Sequence, residues 1–581
     1  MKTDKKVAFI VIMLLLAFLL QSIVVLKTVS LTFDDPAIMT IGYYFWKYKD
    51  TSLHIFHPTL SFLMGGFPML FFDVKMPYSY KECEDNGIYR CADDMMFRSG
   101  NNAERLGYYS RMPFLLASLL LALLVFFFAK ELYGAKAGIV ALALYSFSPA
   151  ILAYNTIVFT DMVVALFIFS TIYFLWKLAV QGYTAYRLIA TGISLGMALA
   201  SKFTAVMLIP IIIFLLIAGI SKSKNKKNQL KAFSVYFLLM LFLGFVVLHA
   251  TYFFDVNSIA NSVPERNIKD IGKFLNEKFK EGNAKKVAGF LAYDLKIPMP
   301  VYVAGFLGQN MIQSEKIRKS YLNGEIYAGG KWYYFFEVLL IKTPLPLLVL
   351  FAASLFFSIM QFKKELMNNL FLLLPIIIFF GIFVNVNFNL GLRHMLPVMP
   401  FMIVFASKIV NTQLPHNVHN LISKTIIVLL LAWYIISALL VMPDYMAYFN
   451  EFVGMENGHK YLLSSNLDQG QDLKRLGEYL KKNSIGRVKI SYHGTADPAY
   501  YNISYELLPM ESYIAWGPGY TLYDPPESYK EDCAKKYGII AISVSNLHGF
   551  NLKNESCFNW LSNHKPVARI GYTIYVYNIT K

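Results

Sequence analysis

The sequence predicts a mainly helical protein that crosses a membrane about eleven times and ends in a small α/β domain. Three observations carry this. Of 581 residues, 56% are hydrophobic and 16% charged, too apolar for a soluble enzyme of that length. Apolar runs of about 20 residues, each able to cross roughly 30 Å of hydrocarbon, recur up to Pro443. Beyond Pro443 the chain changes to short β-branched and aromatic runs with a charged, amphipathic segment among them.

The spans are expected at 7–27, 112–130, 136–153, 156–177, 186–201, 203–220, 232–253, 336–360, 370–388, 396–411 and 425–443. The first follows a short basic head, "MKTDKK". It is longer than a signal-peptide core and has no small-residue cleavage site after it, so it reads as a span with its N-terminus inside. A formal charge of +17 would suggest nucleic acid in a soluble protein. Here the cations fall in alternate loops, at Lys130 and Lys136, Lys177 and Arg187, the "SKSKNKKNQLK" run at 221–231, Lys363 and Lys364, and Lys408 and Lys424. The positive-inside rule accounts for them with no nucleic-acid partner.

This arrangement leaves three large outside regions, about 28–111, 254–335 and the tail from Pro443 to Lys581. It divides the chain into a transmembrane domain, 1–443, and an extracytoplasmic α/β domain, 444–581. All four cysteines fall outside, Cys83 with Cys91 and Cys533 with Cys557, which fits two local disulfides or four buried thiols. Three N-x-S/T triplets, at Asn502, Asn554 and Asn578, share the tail. In the tail "DLKRLGEYLKKN" has helical spacing with Leu473, Leu476 and Leu480 on one side. "RVKISYHG", "YGIIAISVSN" and "RIGYTIYVYNI" read as strands. Tyr500, Tyr501, Trp516 and Tyr520 suit either a domain core or a glycan-binding face.

Ionisable residues collect at the predicted outer rim: Asp34 and Asp35 after the first span, His57, Arg111 at the start of the second, Asp161, Lys202, Lys342, Arg393 and His394. Such residues beside a membrane are functional candidates, because burying them unpaired costs several kcal/mol or more. Lys and Arg also snorkel as plain anchors. Asp161 has too short a stem for that and needs a partner or water. Asp35 before Pro36 reads as the cap of a helix, which leaves Asp34 without a structural account. A carboxylate beside cations stays ionised and accepts a proton. Cations grip a phosphate and stabilise it as it departs. A base facing a phosphate clamp at a membrane rim suits transfer of a group from a lipid phosphate to a hydroxyl.

At these residues the chain resembles the GT-C class of membrane glycosyltransferases, of the protein O-mannosyltransferase type and its prokaryotic, especially archaeal, phospholipid carrier-dependent relatives. "FDDPAIMTIGYYF" is similar to the family's Asp-Glu motif, and "HIFHPTL" to its His-Pro-Pro-Leu motif, with Thr59 in place of the second Pro. "YYSRMPFLLASLL", "LNGEIYAGGKWYYFFEVLLIKTPLPLL", "NLGLRHMLPVMPF" and "YFNEFVGMENGHKYLLSSNLDQGQDLKRL" with "SYHGTADPAYYNISYELLP" resemble further blocks. The resemblance implies a polyprenyl- or dolichyl-phosphate hexose as donor, direct displacement with inversion, and a protein, lipid or glycan acceptor outside. It implies that Asp34 is the base and Asp35 the second acid, here shorter by one methylene than the usual Glu. It implies that Arg111, Lys202, Arg393, His394 and Lys342 hold the carrier phosphate, with His57 and Asp161 supporting the site. It implies no obligatory metal, although His57, Asp34, Asp35 and Asp161 are a donor set that would suit a divalent ion. The competing readings are transfer to protein Asn and a lipid or glycan transporter. Transporters usually carry internal repeats and mid-membrane polar sites, and neither is evident here.

Overall fold

The computed structural model describes residues 2–221, 226–265, 267–269, 272, 289–314, 319–360, 362–411, 420–510, 532–550 and 552–580. Part of the basic run at 221–231, part of the outer region at 254–335, the side chains of Lys363 and Lys364, and both Trp516 and Tyr520 lie outside the described residues.

Among the described residues, seven helices are long and apolar enough to cross a membrane, or eight where one bent pair is counted as a single span. The pair is Tyr334–Lys342 and Leu345–Met360, which meet at 114°. The expected straight span at 336–360 is therefore broken. Pro344 is the physical reason: the residue before a proline avoids helical torsions, and Thr343 is extended, with φ −100° and ψ 133°. The other expected spans at 136–153, 186–201 and 396–411 fall on shorter apolar helices, Ala135–Ser146, Ala185–Ser201 and Met399–Asn411. These are shorter than the roughly 20 residues that a full crossing takes. The span expected at 112–130 is instead longer, Ala103–Tyr133. Asn102 caps it by accepting from the Arg105 backbone N–H at 2.9 Å. Arg111 therefore lies two turns inside the helix rather than at its start.

Large apolar side chains stay on the outside of these helices, such as Phe9 at 65% and Leu20 at 63% exposure. In water such stripes would be covered; against lipid tails they are the expected surface. With seven long apolar helices, this makes the chain an integral membrane protein. Between helices the contacts use small residues. Gly192 and Gly196 of Ala185–Ser201 face Gly244 of Lys226–Thr251, and a Cβ on Gly196 would meet Gly244 O at 2.6 Å. Close backbone approach of this kind replaces the missing hydrophobic drive in lipid.

The first loop folds over one end of the bundle. Helix Asp35–Tyr48 lies against Leu60–Gly66 at backbone distance, since a Cβ on Gly42 would stand 1.8 Å from Phe62 O. Trp46 Nε1 donates to Leu63 O at 2.9 Å across the same contact. Cys83 is bonded to Cys91, and Cys533 to Cys557.

The C-terminal region holds a five-stranded mixed sheet in the order 505–507, 488–491, 538–543, 574–579, 568–570. The first three strands in that order run parallel, and the last two pair antiparallel. Helix Leu473–Lys482 buries Leu473, Leu476 and Leu480, the stripe its spacing predicts. "RIGYTIYVYNI" is a hairpin rather than one strand. Gly571 and Tyr572, both at positive φ, turn the chain between Ala568–Ile570 and Ile574–Ile579.

This sheet domain is fastened to the loop face. Ser30 N–H donates to Gln471 O and Phe33 N–H to Gln469 O, both at 2.9 Å. Thr495 Oγ1 donates to Phe33 O at 2.8 Å. Tyr501 OH and Lys474 Nζ both reach the Glu104 carboxylate, at 2.7 and 2.9 Å, and Tyr500 OH accepts from Glu104 N–H. Tyr500 and Tyr501 are thus docking contacts. The consequence for function is that residues 30–33, which lead into Asp34, are held between the bundle and the sheet domain.

Candidate active site

Asp34 and Asp35 point to different partners. Asp35 is the first residue of its helix and is 0% exposed. Its Oδ2 accepts from Arg111 Nε at 3.1 Å, from Arg111 Nη2, and from Thr32 N–H at 2.9 Å. Its Oδ1 accepts from Val158 N–H at 2.8 Å. Asp34 occupies the cap position, yet its side chain makes no capping bond. The capping account of Asp35 is therefore replaced by a buried ion pair. Its physical reason is that a buried carboxylate needs charge and several donors around it, which one helix end does not supply.

The Asp34 side chain is 20% exposed. Arg393 Nη1 donates to its Oδ2 and Tyr89 OH to its Oδ1, each at 3.4 Å. Burial pushes the Asp34 carboxyl above its ordinary value; the Arg393 guanidinium pulls it back, while Asp35 and Asp161 push it further up. The result is a carboxylate with raised proton affinity and loose contacts.

Arg393 sits on the short turn Leu392–Met395. Gly391 precedes it at φ +122°, and a Cβ there would lie within 2.5 Å of the Asn466 side chain. Asn466 holds the turn: its Oδ1 accepts from Leu392 N–H at 2.9 Å and its Nδ2 donates to Tyr334 OH at 3.0 Å. Arg393 is 9% exposed, and its guanidinium lies 4.5 Å from the centre of the Phe159 ring. Its buried Nε has no hydrogen-bond partner among the described residues. A buried guanidinium with one long ion contact and an unused donor is short of anionic partners.

Asp161, in the first turn of Thr160–Val180, accepts from Lys202 Nζ at 2.6 Å. Lys202 is the residue just past the end of Ala185–Ser201. The His57 ring lies 5.5 Å from the Phe159 ring and nearly perpendicular to it, and the same Phe159 ring carries Arg393. His394 stacks on Phe335 at 6.2 Å. Burial, then the charges of Lys202 and Arg393, then His57, hold its imidazole well below its ordinary range, so it is neutral. The structure thus gathers Asp34, Arg393, Asp161, Lys202, His57 and His394 around Phe159.

Three candidates stand apart from that group: Asp35 with its partner Arg111, and Lys342. Arg111 is 3% exposed and spends Nε and Nη2 on Asp35, with Nη2 also donating to Ser30 O at 2.9 Å. Lys342 is 3% exposed and donates to Met446 O at 2.8 Å and Asn466 O at 2.7 Å, with Phe449 4.2 Å away. It ties the bent span to the segment leading into the sheet domain. Asp34, Asp35, His57 and Asp161 do not converge on one point, and no group of three metal-binding side chains occurs among the described residues. Tyr89, Phe159 and Asn466 carry or frame the site without having been singled out in the sequence. Only the aromatic content of the first loop hints at Tyr89.

Part of this geometry, including Asp161 and Lys202, falls within a stretch of known type. Residues 107–247 match the family model for dolichyl-phosphate-mannose-protein mannosyltransferase. That stretch contains Arg111, Phe159, Asp161 and Lys202, and the match supports a glycosyltransferase. No curated protein matches the sequence. Among solved structures the chain is similar to ArnT from Cupriavidus metallidurans bound to undecaprenyl phosphate, at 11% identity and TM-score 0.47, over 98% of each chain. It is similar to the oligosaccharyltransferase AglB of Archaeoglobus fulgidus in complex with an inhibitory peptide and a dolichol-phosphate, at 13% identity and TM-score 0.41, over 90% of this chain and 62% of that one. It is also similar to the S. cerevisiae Pmt1-Pmt2 complex bound to the sugar donor, at 15% identity and TM-score 0.29, over 45% and 37%.

Proposed function

We propose that this protein is a membrane hexosyltransferase that moves a sugar from a polyprenyl or dolichyl phosphate to an acceptor hydroxyl on the extracytoplasmic face. The observation that carries the reading is Arg393, a buried guanidinium with an unused Nε beside a half-open carboxylate. Arg393 and Lys202 hold the carrier phosphate, with His394 as a neutral hydrogen-bond donor and His57 beside them. Arg111 and Lys342, committed to Asp35 and to backbone carbonyls, act by positioning rather than by gripping phosphate. Asp34 accepts the acceptor's proton. The acceptor oxygen bonds to the anomeric carbon as the bond to the carrier phosphate breaks, with inversion, and the leaving phosphate keeps its electron pair against the two cations. The basic loops support a reading with the N-terminus in the cytoplasm and the sheet domain outside.

Transfer from a synthetic polyprenyl-phosphate hexose, measured in detergent, tests the chemistry. Arg393→Ala is expected to lose most transfer while the protein stays monodisperse; undiminished transfer would remove the phosphate clamp. Cysteines introduced into the sheet domain and labelled in intact cells test the orientation. Labelling only after lysis would invert it.

A further inference from the structure

We infer that Tyr89, held over the site by the Cys83–Cys91 bridge, is a positioning residue that fixes the Asp34 carboxylate in its proton-accepting orientation. The inference rests on reading Asp34 as the base. It begins with local sequence. Ser79 and Glu82 form a capping box that starts helix Tyr80–Asn86. Gly87, at φ +86°, ends it and lets Ile88–Asp93 begin in a new direction. The disulfide then ties the two short helices together, with both cysteines 0% exposed. Tyr89, two residues before Cys91, is half-buried and faces Asp34 across the loop.

The ring is framed from a second side. Phe33 meets it edge-on at 6.0 Å. Phe33 is itself fixed by its backbone bonds to Gln469 and Thr495, and its ring lies 5.5 Å from His493. A carboxylate gripped only at Oδ2 by Arg393 can rotate about its terminal bond. A donor on Oδ1, here at 3.4 Å, biases that rotation toward one orientation and leaves the remaining lone pairs open to the acceptor. A phenol does so without adding charge, so it orients the base and lowers its proton affinity less than a second cation would. The charged groups acting on Asp34 are Arg393, Asp35 with its partner Arg111, and Asp161 with its partner Lys202. From the sheet domain His493 faces the neighbouring Phe33.

The test is Tyr89→Phe, which keeps the ring and deletes the donor. Its kcat/KM against pH is expected to show an acid limb raised by a few tenths to about one pH unit, with KM for the donor unchanged. A Cys83→Ser, Cys91→Ser double variant that remains folded is expected to show the same shift, and adding Tyr89→Phe to it no further one. A wild-type pH profile in Tyr89→Phe overturns the inference. A wild-type profile in the double variant overturns the bridge's part in it. Absence of transfer by the unaltered protein counts against the glycosyltransferase reading alone. Infrared titration of carboxylates then decides the Tyr89 contact. A band missing in Asp34→Asn whose midpoint rises in Tyr89→Phe supports it, and an unmoved midpoint overturns it.

Discussion

Arg111 and Asp35, 76 positions apart, form an ion pair closed to water, with Nε 3.1 Å from Oδ2 and exposures of 3% and 0%. The pair joins the helix Ala103–Tyr133 to the start of Asp35–Tyr48, and Val158 N–H adds a third element. Removing one partner strands a buried charge, which typically costs about 3–5 kcal/mol. Arg111→Ala and Asp35→Leu are each expected to lower thermal stability sharply in lipid nanodiscs. An unchanged Tm in either would show that the pair does not hold these elements.

Asp34 behaves oppositely. Its contacts are long and its side chain partly open, so Asp34→Asn is expected to fold with a near-unchanged Tm. Transfer is expected to fall by roughly 10²- to 10⁴-fold, the share of a general base. Paired Tm and rate measurements separate the two neighbouring acids, and equal loss of stability in both would erase the distinction.

The acid limb of the rate profile follows from the Asp34 environment. Burial raises its proton affinity, and Arg393 is the main influence lowering it. The base is present above the raised pKa and is lost as pH falls through it. Arg393→Gln removes the lowering influence, so the limb of kcat/KM is expected to move up by about one pH unit or more. A limb that stays in place, or moves down, contradicts the assignment.

Three imidazoles give a second pH dependence, in stability. Burial brings His54, His459 and His548 down to about 4. His459 Nδ1 and His548 Nε2 are 2.7 Å apart. A histidine with a depressed pKa contributes stability above its unfolded value, about 6.5, and loses it as pH falls toward the folded value. Burial also raises Asp93 and Asp472 to about 7, which acts in the opposite direction as pH falls, so the test is a difference: between pH 6.5 and 4.5 the Tm of His54→Gln is expected to fall less, or rise more, than that of the unaltered protein. Identical slopes in the two proteins would refute this.

The glycine contact in the first loop is a packing prediction. Gly42→Ala places a methyl 1.8 Å from Phe62 O and must push Asp35–Tyr48 off Leu60–Gly66. Overpacking of this kind costs about 1–3 kcal/mol. Lower Tm and lower transfer are expected together, because Asp34 leads into the displaced helix; wild-type values for both would mean the helices separate freely.

Much of the fold was legible because burial in lipid leaves a local trace. The expected spans fall on apolar helices, although three of those are shorter than a crossing and one is a bent pair, and Leu473, Leu476 and Leu480 announce their helix by spacing alone. The break at Pro344 was written in the sequence too, although the hydropathy of 336–360 hides it. The rim residues were visible because charges are rare in such a chain. What was not legible was how they pair. Asp35 looked like a helix cap because a cap needs only its neighbours, whereas its true partners lie at Arg111 and Val158. Arg111 and Lys342 looked like free cations because their acceptors, Asp35 and the carbonyls of Met446 and Asn466, are distant in sequence.

The sequence by itself therefore determined a polytopic, mainly helical membrane protein with a sheet domain and a one-sided collection of acids and cations. Hydropathy and periodicity are short-range properties, and both survive in the linear chain. Tertiary structure alone decided which acid is sealed and which is open. Asp34 and Asp35 are chemically identical neighbours; only the positions of Arg111, Arg393 and Tyr89, brought in from three other segments, give one a buried counterion and leave the other facing the site.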